Sequence, residues 1–308
     1  MSYILDILII IVCIFALWGG AVWVVESASR IAKKIGLSEL VIGLTVVAIA
    51  TSAPEFAVTV YAALTDQSAI SVGNVVGSNI FNLGIILGIV ALYSTLTTSR
   101  DLLLRDSLLL LFTGILLLIF FYDLKLAAFE GLILFSTLVI YIYILIKQKQ
   151  TVVEEEIPEG EFSWIDVPKL IIGAIVIVAG AHFLVSSASN VARLFGVSEW
   201  MIGITIVAAG TSAPELATSV VAIIKGKHGI SAGNLIGSDI FNLLGVLGIA
   251  SMLKPLHIMQ TEYTSLILLV VTLVIIMVMI RTGWKISKIE GAILITIALF
   301  RWSFDFIF

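Results

Sequence analysis

One stretch of this chain occurs twice. Placing residue 31 on residue 191, an offset of 160, aligns 31–90 with 191–250 without a gap and matches 30 of 60 positions. Upstream, Ser27-Ala28-Ser29 falls on Ser187-Ala188-Ser189, while beyond 90 and 250 the match fades into generic apolar sequence. Apolar runs lie near 4–25, 39–65, 70–96, 102–122, 125–147, 165–188, 198–224, 230–253, 260–281 and 286–307, so the repeat period equals five runs. If each run crosses a bilayer, an odd number of crossings sends the second copy into the membrane from the opposite side. The expected architecture is therefore an all-α integral membrane protein of ten transmembrane helices, arranged as two inverted-topology five-helix repeats.

Composition supports the bilayer reading. Of 308 residues, 60% are hydrophobic and 12% charged, with a mean hydropathy of +1.17. A soluble domain carries roughly 25% charged residues, and one membrane helix takes ~20 apolar residues. The runs are apolar on every face, unlike the alternation of a membrane β-barrel. A net charge of −4 without a basic arm excludes nucleic-acid binding. The single cysteine, Cys13, excludes a disulfide scaffold and reads as a small core hydrophobe. The first run lacks a basic leader and a cleavage site, so it is expected to stay as a helix.

The expected partition is a first repeat over 1–147, a linker over 148–164 and a second repeat over 165–308. The linker carries Glu154-Glu155-Glu156 and Pro158-Glu159-Gly160-Glu161 and reads as a solvated tether. Lysines and arginines sort strongly between alternate loops: thirteen fall in one set, and only Lys125, Arg193 and Lys254 in the other. The positive-inside rule then places both termini outside the cell membrane and the linker in the cytoplasm.

The repeated sequence is polar where lipid would exclude it. One block reads Thr45-Val46-Val47-Ala48-Ile49-Ala50-Thr51-Ser52-Ala53-Pro54-Glu55, and its twin Thr205-Ile206-Val207-Ala208-Ala209-Gly210-Thr211-Ser212-Ala213-Pro214-Glu215. A carboxylate at membrane depth costs a few kcal/mol or more and needs a partner. No lysine or arginine sits in mid-helix beside either one, which leaves a bound cation, or protonation, as the means of neutralising it. Pro54 and Pro214 remove an N–H and push the preceding residue out of helical geometry. Two broken helices result, each offering carbonyl oxygens, hydroxyls and one carboxylate. Irregular backbone at this depth belongs where it lines a cavity or is buried in protein.

A second block reads Gly73-Asn74-Val75-Val76-Gly77-Ser78-Asn79-Ile80-Phe81-Asn82, and its twin Gly233-Asn234-Leu235-Ile236-Gly237-Ser238-Asp239-Ile240-Phe241-Asn242. Ser78 and Asn82 share a helix face, as do Ser238 and Asn242. The glycines permit close helix approach, and Asn74 and Asn234 are placed to bond the broken backbone. All these donors are hard oxygens, with no histidine or cysteine in either block. That set excludes zinc and copper and suits calcium, which takes 6–8 oxygen ligands. Glu55 and Glu215 together balance one divalent charge; without it the pair needs sodium ions or protons. Mutually exclusive occupancies on shared carboxylates are the logic of antiport, and inverted-repeat transporters hold their ions at the repeat interface.

The paired Thr-Ser-Ala-Pro-Glu and Gly-Ser-x-Ile-Phe-Asn blocks resemble the repeats of the calcium/cation antiporter superfamily, and most closely those of prokaryotic sodium/calcium exchangers. The resemblance covers most of the chain. It implies exchange of sodium for calcium by alternating access, no enzymatic activity, and no cofactor beyond the transported Na⁺ and Ca²⁺. It further implies that the second, third, seventh and eighth spans enclose the ions while the first and sixth slide across them. By position, Glu55 and Glu215 are the central calcium carboxylates, and Thr51 and Thr211 lend backbone carbonyls. Ser52, Ser78, Ser212 and Ser238 complete flanking sodium sites with the carbonyls of Ala48 and Ala208, and Asn82 and Asn242 line the centre. The implied partners are inorganic cations and membrane lipid; the oligomeric state stays open.

Three positions depart from the family pattern. Asn242 stands where some relatives and potassium-dependent exchangers have aspartate, which argues against potassium co-transport. Asp239 is acidic where its twin Asn79 is neutral, and is open to two readings, an ion path or a helix-end bond. Ala50 replaces a glycine that Gly210 keeps. Proton/calcium antiport on the same fold is the nearest alternative, and the hydroxyls flanking the carboxylates favour sodium over it. A passive cation channel is disfavoured by two occluding half-sites, and a membrane hydrolase by the absence of a histidine near the glutamates.

Overall fold

The structure, a computed structural model, describes residues 2–147, 161–197, 202 and 206–307. Expectations about 148–160 of the acidic linker, and about Thr205, fall outside the described residues.

Apolar runs of this length close into helices because lipid offers the backbone no hydrogen-bond partner. α1 spans Ser2–Ile35. α2 (Glu39–Thr51) and α3 (Ala53–Leu64) follow as one apolar span bent by 50°. Next come α4 (Ser68–Tyr93), α5 (Leu102–Asp123), α6 (Ala128–Lys147) and α7 (Asp166–Leu194). The remainder forms α8 (Ala208–Thr211), α9 (Ala213–Ile224), α10 (His228–Leu253), α11 (Gln260–Arg281) and α12 (Lys288–Ile307). Among the described residues, seven helices are long and apolar enough to cross a membrane, and the bent α2–α3 pair makes an eighth.

The backbone repeats at the same offset as the sequence. Six described residues have positive φ, and they form three pairs 160 apart: Gly36 and Gly196, Asp66 and Gly226, Leu124 and Trp284. Gly36 and Gly196 close the C-termini of α1 and α7 in the left-handed conformation that a residue without Cβ adopts freely. Four two-residue strands lie in the loops: β1 (Leu96–Thr97), β2 (Lys125–Leu126), β3 (Leu256–His257) and β4 (Lys285–Ile286). β1 pairs antiparallel with β4, placing Leu96 opposite Ile286, and β2 pairs with β3, placing Leu126 opposite Leu256. An offset of 160 turns one ladder into the other, and both tie an early loop to a late one.

α4 and α10 form the centre, with 72% and 83% of their apolar windows buried against 28% for α1 and α7. Large exposed side chains such as Phe15, Ile119 and Phe129 cover the outside, more apolar surface than a soluble monomer shows. α1 and α7 pack along each other. They cross at Gly20 and Gly173, where a Cβ on either residue would meet the other's carbonyl oxygen at 2.9 Å.

The second half of α1 also lies on α9. Val24, Val25 and Ala28 form one buried cluster with Ala213, Val221 and Ala222. Polar contacts reinforce this end. Lys225 pairs with Glu26 at 2.7 Å, Lys227 with the buried Glu39 at 3.0 Å, and the Ser29 hydroxyl donates to Glu39. Arg30 then joins α1 to the start of α7 through Asp166 at 2.7 Å.

Candidate functional site

Both apolar spans break at a serine. Ser52 (φ −80°, ψ 10°) separates α2 from α3, and Ser212 (φ −89°, ψ 8°) separates α8 from α9. The cause is local: Pro54 and Pro214 sit in the first turn of the following helix, where a missing N–H costs nothing. Glu55 and Glu215 come one residue later, at the positive end of a fresh helix.

The two breaks meet. The Ser52 hydroxyl donates to Glu215 Oε1 at 3.0 Å, and the Ser212 hydroxyl donates to Glu55 Oε1 at 3.1 Å. Each carboxylate is thus held by the serine of the other copy. The Ser78 hydroxyl also lies near Glu55, and those of Thr51 and Ser238 lie near Glu215. Both glutamates are 0% exposed, and no lysine or arginine among the described residues pairs with either. Their second oxygens, both Oε2, have no hydrogen-bond partner.

α4 and α10 brace the broken helices identically. Asn74 Nδ2 donates to the Glu55 carbonyl (3.2 Å) and to Thr59 Oγ1 (3.0 Å). Asn234 Nδ2 donates to the Glu215 carbonyl (3.3 Å) and to Ser219 Oγ (2.9 Å). Thr51 Oγ1 lies 3.0 Å from Asn234 Oδ1 and 3.3 Å from Ser238 Oγ, and Ser238 donates to the Ala48 carbonyl at 3.5 Å. Thr51, Ala48 and Ser238 are therefore joined in one hydrogen-bonded group. Thr211 is buried at the end of α8, whose first residue is Ala208.

Asn82 and Asn242 also face inward. Asn82 opens a π-helical stretch, Asn82–Ile86, and Asn242 lies in another, Phe241–Val246. A π turn carries one residue more than an α turn and loosens the backbone ladder, a recurrent feature of functional helices. Only the repeated Ile-Phe-Asn-Leu at 80–83 and 240–243 hints at these turns in the sequence. Oδ1 of each asparagine is buried without a partner, like both Oε2 atoms. Buried polar atoms are normally satisfied, and Oδ2 of Asp239, whose Oδ1 meets Asn82, is unpaired as well; oxygens of this kind suit a hard cation. No group of three or more His, Cys, Asp or Glu gathers among the described residues; the donor set is two carboxylates with neutral oxygens.

Asp239, open to an ion path or a helix-end bond, has no partner for its Oδ2. It is 0% exposed and accepts from Asn82 Nδ2 at 3.0 Å. The Ala50/Gly210 difference has a packing cause. A Cβ at Gly210 would sit 1.8 Å from Cγ2 of Val185 on α7. Ala50 is half-buried, and Val25, the twin of Val185, is buried in the α9 cluster.

The sodium/calcium exchanger protein family profile matches residues 5–147 and 168–301. The chain is 33% identical to the sodium/calcium exchanger MaX1 of Methanosarcina acetivorans, over 94% of this chain and 95% of that protein. It is 32% identical to the inner membrane protein YrbG of Escherichia coli, over 78% and 77%. The solved structure of the sodium-calcium exchanger NCX_Mj, soaked with zero Na⁺ and Ca²⁺, superposes with a TM-score of 0.85 at 29% identity, covering 96% of this chain and 97% of that one. With a profile spanning nearly the whole length and a relative aligned end to end, this chain belongs to the sodium/calcium exchanger family, membrane transporters and not enzymes.

Proposed function

We propose that this protein is a secondary active antiporter that moves Ca²⁺ across the cell membrane in exchange for Na⁺. The observation that carries the reading is the crossed Ser52–Glu215 and Ser212–Glu55 pair, with an unpaired oxygen left on each carboxylate. One Ca²⁺ between the glutamates balances both charges. Na⁺ ions replace it, using the hydroxyls of Ser52, Ser78, Ser212 and Ser238 and the carbonyls of Ala48, Thr51, Ala208 and Thr211. Asn82 and Asn242 add neutral oxygens at the centre. The exchanger names borne by MaX1 and NCX_Mj support the same cargo.

Ten spans in two inverted repeats, 1–147 and 165–308 with the linker 148–164 between them, accommodate the paired positive-φ residues and exchanged ladders. With both termini outside and the linker cytoplasmic, the covered α9 end faces the cytoplasm. Alternating access follows from charge. A fully loaded site is neutral enough for α1 and α7 to slide past it, whereas a half-loaded site exposes a bare carboxylate to apolar surface and stalls.

The test is Ca²⁺ uptake by proteoliposomes under an outward Na⁺ gradient or, separately, an outward H⁺ gradient. Uptake is expected with Na⁺ alone, and Glu55→Gln and Glu215→Gln should each abolish it without loss of folded protein. Uptake driven only by H⁺ would replace sodium by protons as the counter-ion; undiminished exchange by both variants would remove the site.

A further inference from the structure

An asparagine side chain ends in two chemically opposite atoms, and a cation needs the oxygen. Which atom faces inward depends on what holds the other one. For Asn82 the holder is Asp239, whose Oδ1 accepts from Asn82 Nδ2 at 3.0 Å. A carboxylate oxygen that accepts this bond fixes the amide nitrogen on its own side. Asn82 Oδ1 is thereby turned away, buried and unpartnered.

For Asn242 the holder is Asn79, whose Oδ1 accepts from Asn242 Nδ2 at 3.2 Å. Asn79 is itself an amide that could sit either way round. Its Nδ2 donates to the backbone carbonyl of Asp239 at 3.1 Å, and a carbonyl only accepts. That bond orients Asn79, which orients Asn242, whose Oδ1 is again buried and unpartnered. Amide orientations are assigned from such networks, and here each assignment ends on an acceptor. Both chains of bonds start at Asp239, one at its side chain and one at its main chain.

We propose that Asp239 and Asn79, twin positions 160 apart, are positioning residues that clamp Asn82 and Asn242 so that both amide oxygens face the ions. The inference rests on the exchange site proposed above. Each clamp reaches across copies, Asp239 to Asn82 and Asn79 to Asn242, as the serines do with the glutamates. The carboxylate at 239 and the amide at 79 are not interchangeable. Asp239 needs only to accept. Asn79 must accept and donate at once, and an aspartate there would face the Asp239 carbonyl with an acceptor.

The test compares variants by their Ca²⁺ KM and turnover in Na⁺-driven uptake, with melting temperature as a control for folding. Asp239→Asn keeps an acceptor oxygen for Asn82 and should leave the KM within about threefold of wild type. Asp239→Leu removes the clamp and should raise the KM about 10- to 100-fold, the usual effect of losing a group that orients a metal ligand. Asn79→Asp should raise it comparably. If Asp239→Leu does not fold, the near-isosteric Asn79→Asp and Asp239→Asn carry the test between them. Loss of exchange in Asp239→Asn as complete as in Glu55→Gln would make Asp239 an ion ligand and overturn the proposal. An unchanged KM in Asp239→Leu or in Asn79→Asp would also overturn it. Failure of the site reading itself has a different signature, namely exchange that survives both glutamate variants.

Discussion

α3 and α9 are twins in sequence and opposites in surroundings. On α3, Ala53, Ala57, Val58, Tyr61 and Leu64 are exposed; on α9, of the same length, only Ile224 is. The difference comes from the long helices. α1 packs on α9, whereas α7 makes no comparable contact with α3. Charge follows the same division. Glu26, Lys225 and Lys227 strap the α9 end, and their twins at the α3 end are Ser186, Thr65 and Gln67. There Gln67 bonds Thr65 rather than α7. Among the described residues, two nearly identical half-sites thus sit behind one covered end and one less covered end, an asymmetry that alternating access, as proposed above, would require of any single state.

The largest test of that contrast is steric. Gly210→Val would drive a branched side chain into Val185, and overpacking of this kind costs ~1–3 kcal/mol. Ca²⁺ uptake should fall at least ~10-fold, the equivalent of ~1.4 kcal/mol, while Ala50→Val at the half-buried twin falls far less. Equal losses would mean that α1 and α7 press on the two breaks alike.

Accessibility gives the next largest effect. In a Cys13→Ala background, Ala53→Cys should react with a small maleimide roughly 10 times faster than Ala213→Cys, because reagent reaches a covered site only through local opening. Similar rates would dissolve the distinction between the ends.

Unstrapping is a smaller perturbation. Lys225→Ala combined with Lys227→Ala leaves the buried Glu39 with the Ser29 hydroxyl as its one side-chain partner among the described residues, a loss of about 1–3 kcal/mol. Labelling of Ala213→Cys should rise severalfold in that background while labelling of Ala53→Cys falls. The least effect belongs to Lys225→Ala alone. Its pair with Glu26 is 33% and 39% exposed, so it contributes ~0.2–1 kcal/mol. A melting-temperature difference visible at low ionic strength should vanish in high salt.

Much of this is legible in the chain. Pro54 and Pro214 announce the helix breaks because proline chemistry is local. Glu55 and Glu215 announce a bound cation, or protonation, because no lysine or arginine sits in mid-helix beside them. Other features depend on relations between elements. A repeat gives Ser52 and Ser212 equal standing, and only the packing of the halves makes each hold the other's glutamate. The contact between Asp239 and Asn82 is invisible until the two halves are packed together. The π turns at Asn82 and Asn242 leave only the repeated Ile-Phe-Asn-Leu as a trace in the sequence. The unequal ends are the least legible, since near-identical sequences adopt both environments.

The exchanged ladders constrain how the chain is made. β1, near residue 97, completes its hydrogen bonds with β4, near residue 285, and β2, near residue 125, waits for β3, near residue 257. The N-terminal copy therefore leaves the ribosome with two raw backbone edges that nothing within its own length can satisfy. Contacts so distant along the chain form late. Biosynthesis of this protein has a long unfinished interval, which ends only when the last loop arrives to stitch the first half shut.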